Sequence, residues 1–361
     1  MPPFSIFATG AVALGLALTS VTYSTASHAG APTAVKQVAH VTKAEARPTH
    51  ARTHSRYVTR SRLHRSAPSP TRRIRPSPSP SPNPSPSPTP SPSSTPNPVS
   101  AASSGAHFTV NMGGVFAPAA ANGFNVMDVA GSTDNPADVK ATVDSLPAAT
   151  RAMIWVGSLG GSSTAGFTRA QFQAQVDALA NDSRVYGYYI ADEPHPLQYP
   201  SVVAEIAARA DYLRTKAPSQ KSFIVVVDGS NYCNGTYGCE YSALAPSKSH
   251  VDLIGVDAYP CHLGAPCDFS KIPARVNAAV RAGIPLAQIA PVYQTFGQEG
   301  ETDPYYRTPT AFELQQQFDT WKTVVPNPAL DYAYSWGTQG VAPQALVNHP
   351  ELWTVVRAHN G

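Results

Sequence analysis

The strongest constraint on this chain is a rhythm. Between residues 105 and 361, eight short runs rich in apolar, aromatic and β-branched residues recur with helical stretches between them. They are Phe108–Gly113, Phe124–Val129, Arg151–Ser158, Val185–Ala191, Ser222–Asp228, Asp252–Tyr259, Gln288–Gln294 and Asp331–Trp336. Some, such as SFIVVVD, are continuously apolar, as parallel strands covered on both faces must be. The intervening stretches carry helix signals. Thr168 with Gln171 reads as a capping box, followed by Phe172, Val176 and Leu179 on one face. Val202, Ile206 and Leu213 repeat the pattern, and Thr308-Pro309 opens a helix with Leu314, Phe318 and Trp321 facing inward. Eight strand–helix repeats in about 255 residues predict a (β/α)8 barrel. Two features fit less well: only Pro118–Asn122 is free for the first helix, and Pro291 removes a ladder bond from the seventh run. An open doubly wound sheet is the rival, but no Gly-rich phosphate loop follows the first run.

In such a barrel the chemistry gathers where strands end. The fourth run, VYGYYIADEPH (Val185–His195), ends in two adjacent carboxylates with a proline behind them. Acids at the edge of a core need a partner, a proton or a task; the plainer alternative is a solvated strand end. Other strand ends supply Asp128, Asp228, Asp257, Tyr259, Gln294 and Trp336, with His195 just beyond the fourth. Several acids converging on one rim with aromatic rings describe a site for polyols. Asp192 beside Glu193 gives a reason for a raised acid pKa. Neighbours on a strand face opposite ways, so that coupling requires a bulge or turn at Asp192.

Charge divides the chain in two. Residues 30–100 hold 11 Lys/Arg and one acid, whereas residues 101–361 hold 15 Lys/Arg against 22 Asp/Glu, a net of −7. An acidic globule lacks the clustered cations that nucleic acid requires. Residues 1–29 are expected to be a signal peptide, with the apolar stretch Ala11–Thr19 and small residues around Ser27-His28-Ala29, although no Lys or Arg precedes the apolar stretch. No later run is long enough to span a bilayer. Residues 30–68 read as a disordered basic segment, either drawn to an anionic cell wall or membrane or acting as a solvated spacer. Residues 69–104 are a Pro/Ser/Thr-rich linker, extended over about 70 Å between residues 76 and 98 in polyproline II form. Residues 105–361 form the one folded domain expected, a secreted monomer. Cys233, Cys239, Cys261 and Cys267 make two pairs spaced by six. Export favours disulfides, and of three connectivities the local one, 233–239 and 261–267, is preferred.

YGYYIADEP resembles the acid/base strand of (β/α)8-barrel glycoside hydrolases, many of which end that strand in Asn-Glu-Pro with Glu as proton donor. IGVDAYP and YSWG are similar to their sixth and eighth strands. The resemblance covers roughly residues 105–355. It implies that Glu193 is the general acid, that Trp336 floors a sugar site, and that the Pro/Ser linker resembles those of secreted polysaccharide-degrading enzymes. Asp192, Asp128, Tyr259, Gln294 and His195 are then expected to contact a carbohydrate. One departure is prominent: the nucleophilic Glu of the seventh strand is replaced by Gln294, which cannot attack an anomeric carbon. Asp257, ranked first, or Asp228 is expected to replace it; Glu299 and Glu301 in the following loop are further candidates. The alternative is a catalytically silent barrel that binds carbohydrate or cell wall. No His-x-His or His-Glu-x-x-His spacing, Gly-x-Ser-x-Gly elbow or phosphate loop is present, so neither metal nor cofactor is expected.

Overall fold

A computed structural model of the chain describes residues 105–157, 159, 166–227, 237–340 and 342–361. The expected leader, basic segment and linker, together with Asp228 and Cys233, lie outside the described residues. The eight strands are β1 (Ala106–Thr109), β2 (Val126–Ala130), β3 (Arg151–Trp155), β4 (Val185–Asp192), β5 (Lys221–Val226), β6 (Leu253–Asp257), β7 (Ile289–Gln294) and β8 (Leu330–Tyr334). All neighbours are parallel, and β8 pairs back onto β1 to close the barrel. Helices run between the strands: α1 (Ala117–Ala120), α2 (Pro136–Ser145), α3 (Arg169–Leu179), α4 (Ser201–Lys216), α5 (Cys239–Leu244), α6 (Pro246–Ser249), α7 (Lys271–Arg281) and α8 (Ala311–Val324), with α9 (Trp353–Asn360) closing the chain.

Alternation along each strand makes two cores. Phe108, Met153, Phe223, Val225, Leu253, Val292, Leu330 and Tyr332 fill the barrel, while Met127, Ile154, Tyr188, Ile224, Ile254 and Tyr293 pack outward under the helices. Phe108 stacks on Tyr332 with centroids 4.8 Å apart and meets Phe223 edge-on at 6.1 Å. Each such ring, removed from water, contributes about 1.5–3 kcal/mol. The capping box at Thr168 and Gln171 is present. The late helix starts two residues beyond its sequence signal, because Thr310 forms a second capping box with Glu313. Pro291 sits within β7 opposite Val256.

β4 is the irregular strand. Its register shifts against β3 at Tyr186 and again against β5 at Ile190. Inward residues therefore step by three, Tyr186 and Tyr189 into the barrel, with Ile190 and Ala191 both facing out. Gly187 permits this course: a Cβ there would lie 2.1 Å from the Lys221 carbonyl oxygen.

Candidate active site

The shifted register delivers the end of β4 to the mouth. Asp192 turns back over the interior and accepts a 2.6 Å hydrogen bond from the Tyr189 hydroxyl. Glu193 follows with φ 42°, in the left-handed region, its backbone held by a bond from its N–H to the Val225 carbonyl at 3.0 Å. A non-glycine residue there bears roughly 1–2 kcal/mol of strain. The bulge and this turn are what place two consecutive carboxyls on one site.

Asp257 ends β6 facing inward, 2% exposed. No aligned donor reaches either of its oxygens; they face the Glu193 carboxyl and the Tyr259 hydroxyl at hydrogen-bonding range. Burial is the main cause that pushes Asp257 up to about 7, with Asp192 adding repulsion against the hydrogen bonding from Glu193. Burial and then the charges of Asp257 and Asp192 drive Glu193 well above the usual carboxyl range. The two carboxyls act as one unit that retains a proton at neutral pH. Burial also raises Asp128, to about 6, against a 3.4 Å bond from the Asn111 N–H.

Aromatic rings surround these acids. Trp155 meets Tyr189 edge-on at 4.7 Å, and Tyr259 packs on Phe296, Tyr306 and Tyr334. One wall is cationic. Lys271 and Arg275 lie one turn apart on α7, and the Lys271 Nζ meets His262 Nε2. Burial, then Lys271, brings His262 down to about 4. Arg275 is half-buried as a residue, yet its Nε and Nη1 are sealed from solvent and have no acceptor among the described residues. Its guanidinium lies 4.9 Å from the Tyr237 ring centroid. Burial opposes its charge, while Tyr241, Tyr237, Tyr306 and Asp257 favour it and prevail. A buried charge without a bonded partner costs several kcal/mol, and a cation–π contact offsets about 0.5–2 kcal/mol of that.

Other residues expected at the site are committed elsewhere. Gln294 is fully buried: its Oε1 accepts from the Cys261 N–H at 2.8 Å, and its Nε2 donates to the carbonyls of Cys261 and Arg307 at 2.9 Å. It clamps two loops and has no group left for a sugar. Trp336 faces the outer core, stacked on Trp353 at 5.7 Å and edge-on to Phe124, so it floors no sugar site; β8 ends two residues earlier, at Tyr334, which faces Tyr259. His195 is buried and its Nδ1 lies 3.2 Å from Glu240 Oε1 in α5. Glu299 is held by the N–H and hydroxyl of Thr308, and Glu301 is exposed. Cys261–Cys267 is disulfide-bonded as expected, and Cys239 is also in a disulfide. Arg275, Tyr189, Tyr306 and Tyr334 join the site without having been singled out in the sequence.

A second polar cluster lies at the opposite, N-terminal end of the strands. Asp331 accepts from His107 Nδ1 at 3.0 Å and from His359 Nε2 at 3.1 Å. Burial alone would raise its pKa, but the two imidazoles outweigh it and hold the carboxyl below its usual range. These three groups and the Cys261, Cys267, Glu313 group have donor atoms close enough for a metal. The second is spoken for by its disulfide, and in the first both imidazoles are directed at the Asp331 carboxylate.

The closed parallel barrel with acids at its C-terminal mouth is like the barrels of glycoside hydrolases. No family model matches the chain, and no curated protein matches its sequence. Among solved structures it is similar to a plant class V chitinase mutant from Cycas revoluta, determined with (GlcNAc)3. The TM-score is 0.50 at 13% identity, over 71% of this chain and 100% of that one. The spore cortex-lytic enzyme SleL from Bacillus cereus aligns with TM-score 0.49 at 11% identity, over 73% of this chain and 76% of that one. At these identities the likeness establishes the fold.

Proposed function

We propose that the protein is an exported glycoside hydrolase that cleaves O-glycosidic bonds of a polysaccharide or glycan, with Glu193 as general acid. The observation that carries this reading is the buried Glu193–Asp257 pair, which keeps a proton at neutral pH. A group that must protonate a leaving oxygen needs that property. Asp257 shares and returns the proton in this reading. Contact between the two carboxyls is well inside the roughly 5–5.5 Å at which the second would serve as nucleophile. Attack therefore comes from water or from a group of the substrate itself, a route known for some glycosidases. The rings of Tyr259 and Tyr334 and the hydroxyls around Asp192 offer faces and bonds for a sugar. Residues 1–29 as leader and residues 30–104 as basic tail and spacer belong to the same reading: they would carry the barrel out of the cell and hold it near an anionic wall.

Glu193→Gln is the test. Hydrolysis of a polysaccharide cleaved by the wild type is expected to fall by about 10²–10⁴-fold, while glycan binding persists. Full activity in the variant would remove Glu193 from the chemistry. A second reading, a carbohydrate-binding barrel without catalysis, is favoured by the clamped Gln294, which leaves β7 without a carboxylate. That reading prevails where the wild type binds a glycan and releases no reducing ends from it.

A further inference from the structure

Among the described residues, Arg209 Nη1 and Arg275 Nε and Nη1 are sealed from solvent without a partner, and the two groups differ in whether the rest of the guanidinium is paired. Arg209, on α4, is bonded through Nε to Glu205 at 3.0 Å and through Nη2 to the Phe167 carbonyl. Its ion pair is internal. Arg275, on α7, has no ion pair and no hydrogen bond among the described residues, and two of its nitrogens are sealed from water. Asp257 is the carboxylate of the mouth whose charge favours that of Arg275. The deficit lies with Arg275, which needs an acceptor, whereas Asp257 already faces the Glu193 carboxyl and the Tyr259 hydroxyl. Lys271, one turn away on the same helix, adds positive charge to that wall and is bonded to the His262 ring. An arginine left this way beside acids that already hold a proton is suited to an anion arriving from outside. Its planar fork of N–H groups matches a carboxylate in particular.

We infer that Arg275 receives a carboxylate carried by the sugar bound over Glu193 and Asp257, so that the substrate class is an acidic glycan containing a uronic acid. The sugar's carboxylate supplies the acceptor that Arg275 lacks. This inference rests on the glycan reading of the mouth given above.

The test measures binding of the full chain to glucuronan, galacturonan and mannuronan hexamers, each compared with its carboxyl-reduced, neutral counterpart. The expected result is that at least one acidic hexamer binds about tenfold or more tightly than its reduced form, as a charge-assisted bond predicts. In Arg275→Gln that ratio collapses to near one, and in Arg275→Lys, which keeps the charge but not the fork, it falls to an intermediate value. Melting curves of the variants establish that they are folded. Equal binding of acidic and neutral hexamers by the wild type would overturn the inference while leaving a neutral-glycan enzyme standing. So would an Arg275→Gln variant that weakens both ligands and preserves their ratio, because that marks a purely structural arginine. Binding of neither series, by a chain that also cleaves no glycan, removes the glycan reading and this inference together.

Discussion

At the N-terminal end of the barrel, Asp331 is buried with two imidazoles bonded to its carboxylate. At the C-terminal end Asp257 is as deeply buried and Asp128, Asp192 and Glu193 are half-buried, and no cation is bonded to any of them among the described residues. The first carboxyl is held below its usual pKa range, and the other four are raised above it. Asp257 and Asp331 are buried alike, so the difference between these two is made by partners. Where partners are supplied, an ionised acid ties β1, β8 and α9 together. Where they are withheld, the acids keep protons that chemistry can use. The linkage runs in opposite directions. A lowered pKa contributes stability that is present above about pH 4 and lost as pH falls through the folded value. A raised pKa contributes stability present below about pH 4 and lost as pH rises, through about 6 for Asp128 and about 7 for Asp257.

This contrast can be broken or sharpened by substitution. Loss of hydrolysis in Glu193→Gln is the largest effect, and by the same linkage the substitution should stabilise the fold at neutral pH and do almost nothing below pH 4. Asp331→Ala should cost about 3–5 kcal/mol in urea unfolding at pH 7, as expected when one partner of a buried pair is removed; a loss below about 1 kcal/mol would mean that the histidines do not hold that end together. Gln294→Glu is smaller and tests the missing nucleophile. A carboxylate cannot donate to the Cys261 and Arg307 carbonyls, so a loss of about 2 kcal/mol without any gain in turnover is expected. An increase in turnover would put position 294 back into the site. Smallest is Asp128→Asn, which should stabilise the fold by about 1–2 kcal/mol at pH 7.5 and by almost nothing below pH 4. A gain independent of pH would show that Asp128 is not a source of the acid-side stability.

The fold was legible because parallel strands buried on both faces leave continuous apolar runs, and because the start of α3 carries a side-chain signal that survives into the structure. Asp257 and Glu193 could be found for a related reason: strand ends in a barrel are defined by where the apolar runs stop. Side-chain direction was less legible. Trp336 lies two residues past the end of β8 and is drawn outward by Trp353, a contact 17 residues away that no periodicity encodes. His195 turns under the rim to meet Glu240, 45 positions on. Gln294 occupied the expected strand end, but its amide fits a set of backbone groups from two distant loops. The bulge that aligns Asp192 with Glu193 is a matter of register between strands, and an apolar run conceals it. Arg275 gave no signal because an arginine on a helix is ordinarily a solvated one.

The left-handed backbone at Glu193 has a consequence for how this protein would change under selection. Glycine or asparagine would relax that conformation, and the burial of a carboxyl would vanish with the same substitution. A population propagated only for resistance to heat should therefore abandon glutamate at this position among its first changes. Retention of Glu193 through such a regime, with glycan supplied as the growth-limiting nutrient, would measure how strongly turnover is being selected against thermal robustness.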